Sequence, residues 1–522
     1  MPISFAQIPA DWKLPLYWVE VDPSKAGLWT INQPALLVGI MTADGVATPD
    51  VAIPVGTQAQ ADQQFGQGSQ LANMFARFFA NNFANEVWGL PVAEPTAGTA
   101  ATGTITVTLD AGGHEAGTID LYVGGQHVPV NIGATDTVND INVAISAQIN
   151  ENFDLPVTSV GGPTDLTLTC NWVGASGNDI TMCDSYYGRM GSQELPVGVT
   201  LAYSSLGMLS GGVGTPIFDT AIANLGERNF EYVCMPFTDS TSLLAWETEY
   251  GFGDNGRWGW MRQLFGHVFS AKRSDYADMI LFGETRNAGV TSIMGVELAS
   301  PSPIYEWTAA YTAMAQRALI NDPARPLQTL ELTGILPAPL HQRFNRQELN
   351  SMAGSGIATQ ETDPNSVPMI LRETTTYQLN QYGMGDDAYE LVTTLATLAR
   401  VLRNQKQAIT SAYPRHKLAD DGTRFGPGQA IVTPGLIAAE LIAEYRVDMY
   451  NGLVENITAF KQNLIVERDT NNPNRVNVLY PPDLINQLRV FAVLAQFRLQ
   501  YDRGLDATIT NTGSTTQAAS GL

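Results

Sequence analysis

Cysteine is nearly absent from this sequence: Cys170, Cys183 and Cys234 are the only three in 522 residues. They build no disulfide framework, which fits a reducing compartment or assembly in one. Long apolar runs are missing as well. The longest uncharged one, Ala35–Met41, falls far short of the ~18 residues a membrane span requires. The opening MPISFAQIPADWK has no basic segment followed by an apolar stretch, so no secretory signal is expected. Charge is scarce, at 15% against the ~25% of an average domain. Cations are scarcer still, 28 against 51 acids, for a net charge of −23. Such a chain repels phosphate and anionic lipid, which excludes nucleic-acid binding as its main task and membrane binding by the chain itself.

Catalytic signatures are also lacking. There is no HExxH, Walker A loop, CxxC or GxSxG. Gly251-Phe-Gly253-Asp-Asn-Gly256 matches a dinucleotide-binding loop in letters only. A helical pattern precedes it where a strand is needed, so it reads as a turn between helices. None of His114, His127, His267, His341 and His416 has another His or Cys at metal-ligand spacing. Asp386-Asp387 reads as a carboxylate pair at the positive end of a following helix, and Asp420-Asp421-Gly422 as a turn. No catalytic residue, cofactor site or metal site is expected; the chain reads as a structural protein rather than an enzyme.

What is present is patterned unevenly. Residues 360–522 carry 14 basic and 17 acidic residues, whereas 96–210 carry one cation, Arg189, against 11 acids. The mixed-charge part suits packing on other protein; the nearly cation-free part suits a solvated surface. Leu71, Met74, Phe75, Phe78 and Phe79 recur at helical spacing after a Ser69 cap, predicting a helix through Asn81. Ala35–Met41 predicts a strand buried on both faces. Near Glu94 the pattern shifts to period two, with Gly112-Gly113 and Gly124-Gly125 at turns. One helix follows, capped by Thr137, then strands at Pro156–Val160 and Leu166–Asn171. Beyond Thr215, strands are expected at Tyr232–Met235 and Asp278–Phe282, and helices at Ser240–Tyr250 and Pro303–Ile320. The last third reads as a strand at Met369–Leu379, a helix over about Asp387–Ser411, and a helix capped by Thr433 with Pro434 at N1. A hairpin about Asn471-Asn472-Pro473-Asn474 and a last strand at Val490–Tyr501 follow. Both ends look like arms.

The predicted fold is a mixed α+β, multidomain one, with sheets covered by helices. Its parts are an N-terminal arm (1–30), a middle α/β domain (31–95 and 211–359) and an inserted β-rich outer domain (96–210). A C-terminal core (360–505) and a C-terminal arm or tail (506–522) complete it.

Seven segments then carry a family resemblance. They are Ile3–Gly27 (ISFAQIPADWKLPLYWVEVDPSKAG), Phe65–Phe79 (FGQGSQLANMFARFF), Ala175–Ile180 (ASGNDI), Asp322–Ala338, Glu373–Tyr389, Tyr413–Pro434 and Asn451–Val490. In order and spacing, nearly end to end, the chain resembles the tail sheath proteins of contractile-tailed bacteriophages, in the Mu-like family. The resemblance implies a homo-oligomer of stacked hexameric rings around a tail tube, in contact with baseplate and tail terminator proteins, assembled in the host cytoplasm and carried in the virion tail. It implies contraction that drives the tube through a bacterial envelope without nucleotide hydrolysis or any cofactor. It also implies a polymerising core made of the C-terminal part and N-terminal arm, with strands exchanged between neighbours. Carried onto this chain, the arm candidates are Leu16, Tyr17, Trp18, Val19, Glu20 and Val21, and Ala507, Thr508, Ile509 and Thr510. Two alternatives stand beside it: the sheath of a headless contractile device, such as a tailocin or secretion-type machine, or a surface carbohydrate-binding protein.

Overall fold

A computed structural model of the chain describes residues 33–497 and residue 499. The expected N-terminal arm, the candidates Leu16–Val21 and the candidates Ala507–Thr510 lie outside the described residues. The chain separates into a body ending at Ile485 and a segment beginning at Asn486.

The body is built on strand Ala35–Ile40, in which every residue is buried. An apolar run of this kind needs cover on both faces and partners on both edges. Parallel strands Tyr232–Cys234 and Val87–Val92 supply the edges. The sheet continues through His267–Ser274 to Thr291–Glu297 on one side and ends at the antiparallel Ile53–Pro54 on the other. Helix Gln70–Asn81 covers it, with Ser69 capping the amide of Ala72 as its spacing predicts. Phe75 of that helix stacks on Phe65 at 5.6 Å. Gly89 is required opposite them, because a Cβ there would sit 2.4 Å from Phe65 Cζ.

Residues 100–203 form a four-stranded antiparallel sheet and a three-stranded sheet. Between them runs helix Val138–Glu151, whose Thr137 and Asp140 close a reciprocal capping box. The apolar cores of residues 100–203 and of the central sheet are continuous. The final third adds the long helix Val392–Ala412, helix Pro434–Tyr450 with its expected Thr433 cap, and a hairpin of Ile465–Arg468 with Val476–Leu479.

Several expectations are corrected. Asp278–Phe282 is not a strand but lies within helix Tyr276–Glu284, because Asp275 caps the amide of Asp278 and starts the helix. A short apolar run does not declare its period, and here the cap decides. The strands beside it, His267–Ser274 and Thr291–Glu297, are not among those expected from the sequence. Asp386-Asp387 does not cap the long helix, which begins at Val392 after Leu391 with no side-chain cap. Asp386 instead accepts from the Tyr377 hydroxyl at 2.6 Å. The strand expected over Met369–Leu379 is the shorter Pro368–Arg372, paired with Thr359–Thr362 through a bulge. The Gly251–Gly256 turn leads from helix Ser240–Glu249 into a strand, not into a second helix.

Candidate assembly interface

Several ionisable groups inside the body are engaged in holding it together. Arg257, wholly buried just after the glycine-rich turn, bonds Glu249 at 2.7 Å and the Arg228 carbonyl at 2.6 Å, so this loop wraps a guanidinium instead of a phosphate. His114 lies 2.8 Å from the Gly133 carbonyl and His127 pairs with Asp120 at 2.7 Å, while His341 and His416 are exposed. Burial pushes the Cys170 and Cys183 thiols up to about 12 and raises that of Cys234, so none is a ready nucleophile. Among the described residues, no three His, Cys, Asp or Glu side chains converge as metal ligands. No helix among them is long and apolar enough to cross a membrane.

Two features of the C-terminal part remain without cover. The first is the hairpin. Its Asn-Asn-Pro-Asn turn is organised by Asp469, which accepts from the amides of Asn471 at 2.8 Å and Asn472 at 2.9 Å and from the Asn477 side chain at 3.0 Å. Those hydrogen bonds hold its carboxyl below the usual range, the Asn477 contact contributing most. Val466 and Val476 pack with Ile437 and Leu441 of helix Pro434–Tyr450. Ile465, Val478 and Leu479 stay exposed. Neither strand has a second neighbour among the described residues, leaving two open edges on a two-stranded sheet. Isolated ribbons of this size are marginal, and open edges are templates for a further strand.

The second is the segment after Ile485. Leu488, Val490, Phe491, Val493, Leu494, Phe497 and Leu499 are 69–95% exposed. The expected strand at Val490–Tyr501 is absent over its described residues. The strand propensity is real, but none of residues 490–497 is paired as a strand. Covering seven such side chains is worth roughly 10–20 kcal/mol before the costs of association, at about 1.5–3 kcal/mol each. The sequence pattern marks this run as a last strand, Val490–Tyr501, and not as an assembly segment; the arm candidates Ala507–Thr510 come from the family resemblance.

Fold and site together define a class: a chain that presents open backbone edges and exposed apolar side chains, as an assembly subunit does. Known proteins give the particular case. Residues 211–376 match the model of the phage tail sheath protein central domain, and residues 385–498 that of the phage tail sheath C-terminal domain. The chain is 37% identical over 501 residues to the Mu-like prophage FluMu tail sheath protein of Haemophilus influenzae, covering 96% of this chain and 100% of that one. The chain belongs to the phage tail sheath family, and it is a structural subunit of a contractile tail. Among solved structures, the sheath tail protein of Desulfitobacterium hafniense aligns over 90% of this chain and 100% of its own, at a TM-score of 0.45 and 11% identity. The anti-feeding prophage helical sheath in the contracted state aligns over 94% and 100%, at a TM-score of 0.43 and 9% identity.

Proposed function

We propose that this subunit polymerises as stacked six-membered rings around a tail tube, bounded by baseplate and terminator proteins, in a virion tail assembled in the host cytoplasm. Contraction of that polymer drives the tube through the bacterial envelope. Neighbours hold one another by strand exchange: a terminal segment of one copy adds to the open hairpin Ile465–Arg468/Val476–Leu479 of the next. Leu16–Val21 and Ala507–Thr510 are the candidates carried by family resemblance, and 488–499 joins them. The observation that supports this reading is the coincidence, in one chain, of an open two-stranded edge and an exposed apolar run with no strand partner. Main-chain hydrogen bonds of this kind survive while the remaining interfaces are exchanged. A surplus of about 1–2 kcal/mol per subunit in the contracted lattice, summed over the polymer, makes the change one-way.

Trp172, the single tryptophan of the insertion, is buried edge-on against Tyr305 and offers no flat face to a sugar. That disfavours a carbohydrate platform there.

The test is negative-stain electron microscopy of the full chain and of a chain ending at Ile485, with the cognate tube as template if needed. Hollow six-fold tubes from the full chain and folded single subunits from the truncation are expected. Normal sheaths from the chain ending at Ile485 would exclude 488–499 and Ala507–Thr510 and leave Leu16–Val21; normal sheaths from a chain that also lacks residues 1–22 would overturn the strand-exchange reading.

A further inference from the structure

The helix Ile304–Asn321 is mostly buried, yet its N-cap residue is Pro303, which brings no side-chain cap. The missing acceptor comes from 125 residues earlier in the sequence: Asp179, in the insertion, accepts from the Ile304 amide through Oδ2. A carboxylate there suits both the free amides and the positive end of the helix. The same carboxylate receives Arg273 Nε at 2.6 Å on Oδ1. The guanidinium, on the penultimate residue of strand His267–Ser274 in the central sheet, donates onward to the carbonyls of Leu298 at 3.1 Å, Ser300, and Ser302 at 2.7 Å. The side chains of Arg273 and Asp179 are 4% and 13% exposed. Next to them the Thr181 hydroxyl donates to the Pro301 carbonyl.

The chain enters and leaves the insertion at one place. Thr99 and Val213 pair side by side, with N–H···O distances of 3.0 and 3.2 Å. Away from these crossings the insertion meets the body through the shared apolar core, through Trp172 against Tyr305 and through the Thr181–Pro301 bond. Among the described residues Arg273–Asp179 is the ion pair that joins it to the central sheet, and charge-assisted hydrogen bonds from a buried guanidinium are among the strongest available.

We propose that Asp179 is the positioning residue that fixes the inserted segment to the central sheet, so that both turn as one rigid body when the subunit reorients in the sheath. The turning rests on the sheath reading above; the fixing is a property of the free subunit. Asp179→Asn keeps an acceptor oxygen and removes the charge. In the free full-length variant, hydrogen exchange at the Ile304–Trp307 amides is expected to quicken at least tenfold. Proteolysis at the crossings, residues 93–99 and 211–215, is expected to quicken with it, while exchange in Ala35–Ile40 stays unchanged. Asp165→Ala, which removes an exposed hydrogen bond to Thr106 in the same insertion, is expected to change neither. A merely local capping role would quicken exchange at 304–307 and leave the crossings untouched. That outcome, or no change at either place, overturns the proposal. If Asp179→Asn does not fold, Arg273→Lys tests the same contact by the same two readouts. In assembled sheaths of the variant, averaged density for 96–210 is expected to blur relative to the central sheet; equal sharpness overturns the one-body claim even where sheaths form normally.

Discussion

Arg403, on the long helix, donates to Glu231 at 2.7 Å, just before the interior strand Tyr232–Cys234 of the central sheet, with the two side chains 13% and 7% exposed. The neighbouring turns of the helix face other elements: Arg400 donates to the Ile320 carbonyl and Asn404 to Asp448 of helix Pro434–Tyr450. One helix therefore connects the central sheet to the C-terminal part that carries the open hairpin.

Breaking the pair should be costly. Glu231→Gln or Arg403→Met leaves a largely buried charge without its partner, a loss of about 3–5 kcal/mol in such settings. Denaturant unfolding of the free subunit checks this. The double replacement by apolar residues of similar volume is expected to recover most of the loss, and an unchanged midpoint in the single variants would contradict the role of the pair.

Acid should act on the same joint through two opposed groups. Burial lowers the His267 pKa from 6.5 to about 3, so the folded state favours the neutral ring. Its contribution is complete above pH 6.5 and is lost as pH falls from 6.5 towards 3, by about 1.4 kcal/mol per unit. Burial raises Asp448 from 3.8 to about 6, so the folded state favours the protonated acid, and its contribution grows as pH falls from 6 towards 4. The two offset each other in that window. Asp448→Asn should unmask a steeper acid loss of stability than wild type, and His267→Phe should give a shallower one. Thermal melts between pH 4 and 7 decide; parallel profiles in all three proteins would contradict the assignment.

The exposed apolar run should matter to assembly and not to folding. Phe491→Asp with Leu494→Asp changes two side chains that are 82% and 85% exposed, so the unfolding midpoint should move by no more than about 0.5 kcal/mol. Polymerisation, followed by light scattering or microscopy, should fall sharply. Tubes forming at the wild-type rate would show that the run is not an assembly surface.

The thiols should be silent in the native protein. With Cys170 and Cys183 pushed up to about 12 and Cys234 raised by complete burial, iodoacetamide at pH 7.5 should label none of them within the time that labels a free thiol. All three should react in denaturant. Rapid native labelling at any one would show that its thiolate is accessible.

What was legible beforehand followed from contacts close along the chain. Ser69 and the stripe Leu71 to Phe79 announce their helix because cap and face lie within three turns. Thr433 with Pro434, Thr137 with Asp140, and the Asn-Asn-Pro-Asn turn are local in the same sense. The order and spacing of segments from Ile3 to Val490 were enough to mark the family. Propensity failed where a distant residue or a missing partner decides. Asp278–Phe282 is the local exception, where an apolar run hides its period and the Asp275 cap three residues earlier makes it helical; Val490–Phe497 has strand character but no strand pairing. The cap of helix Ile304–Asn321 is supplied by Asp179, and no window of sequence containing Pro303 reveals it. The sequence by itself determined the composition, the local starts and stops, and the lineage. Tertiary structure alone decided which edges stay open, which charges meet across the joints, and how the insertion is held, because each depends on groups far apart in the chain whose pairing exists only once the backbone has closed around them.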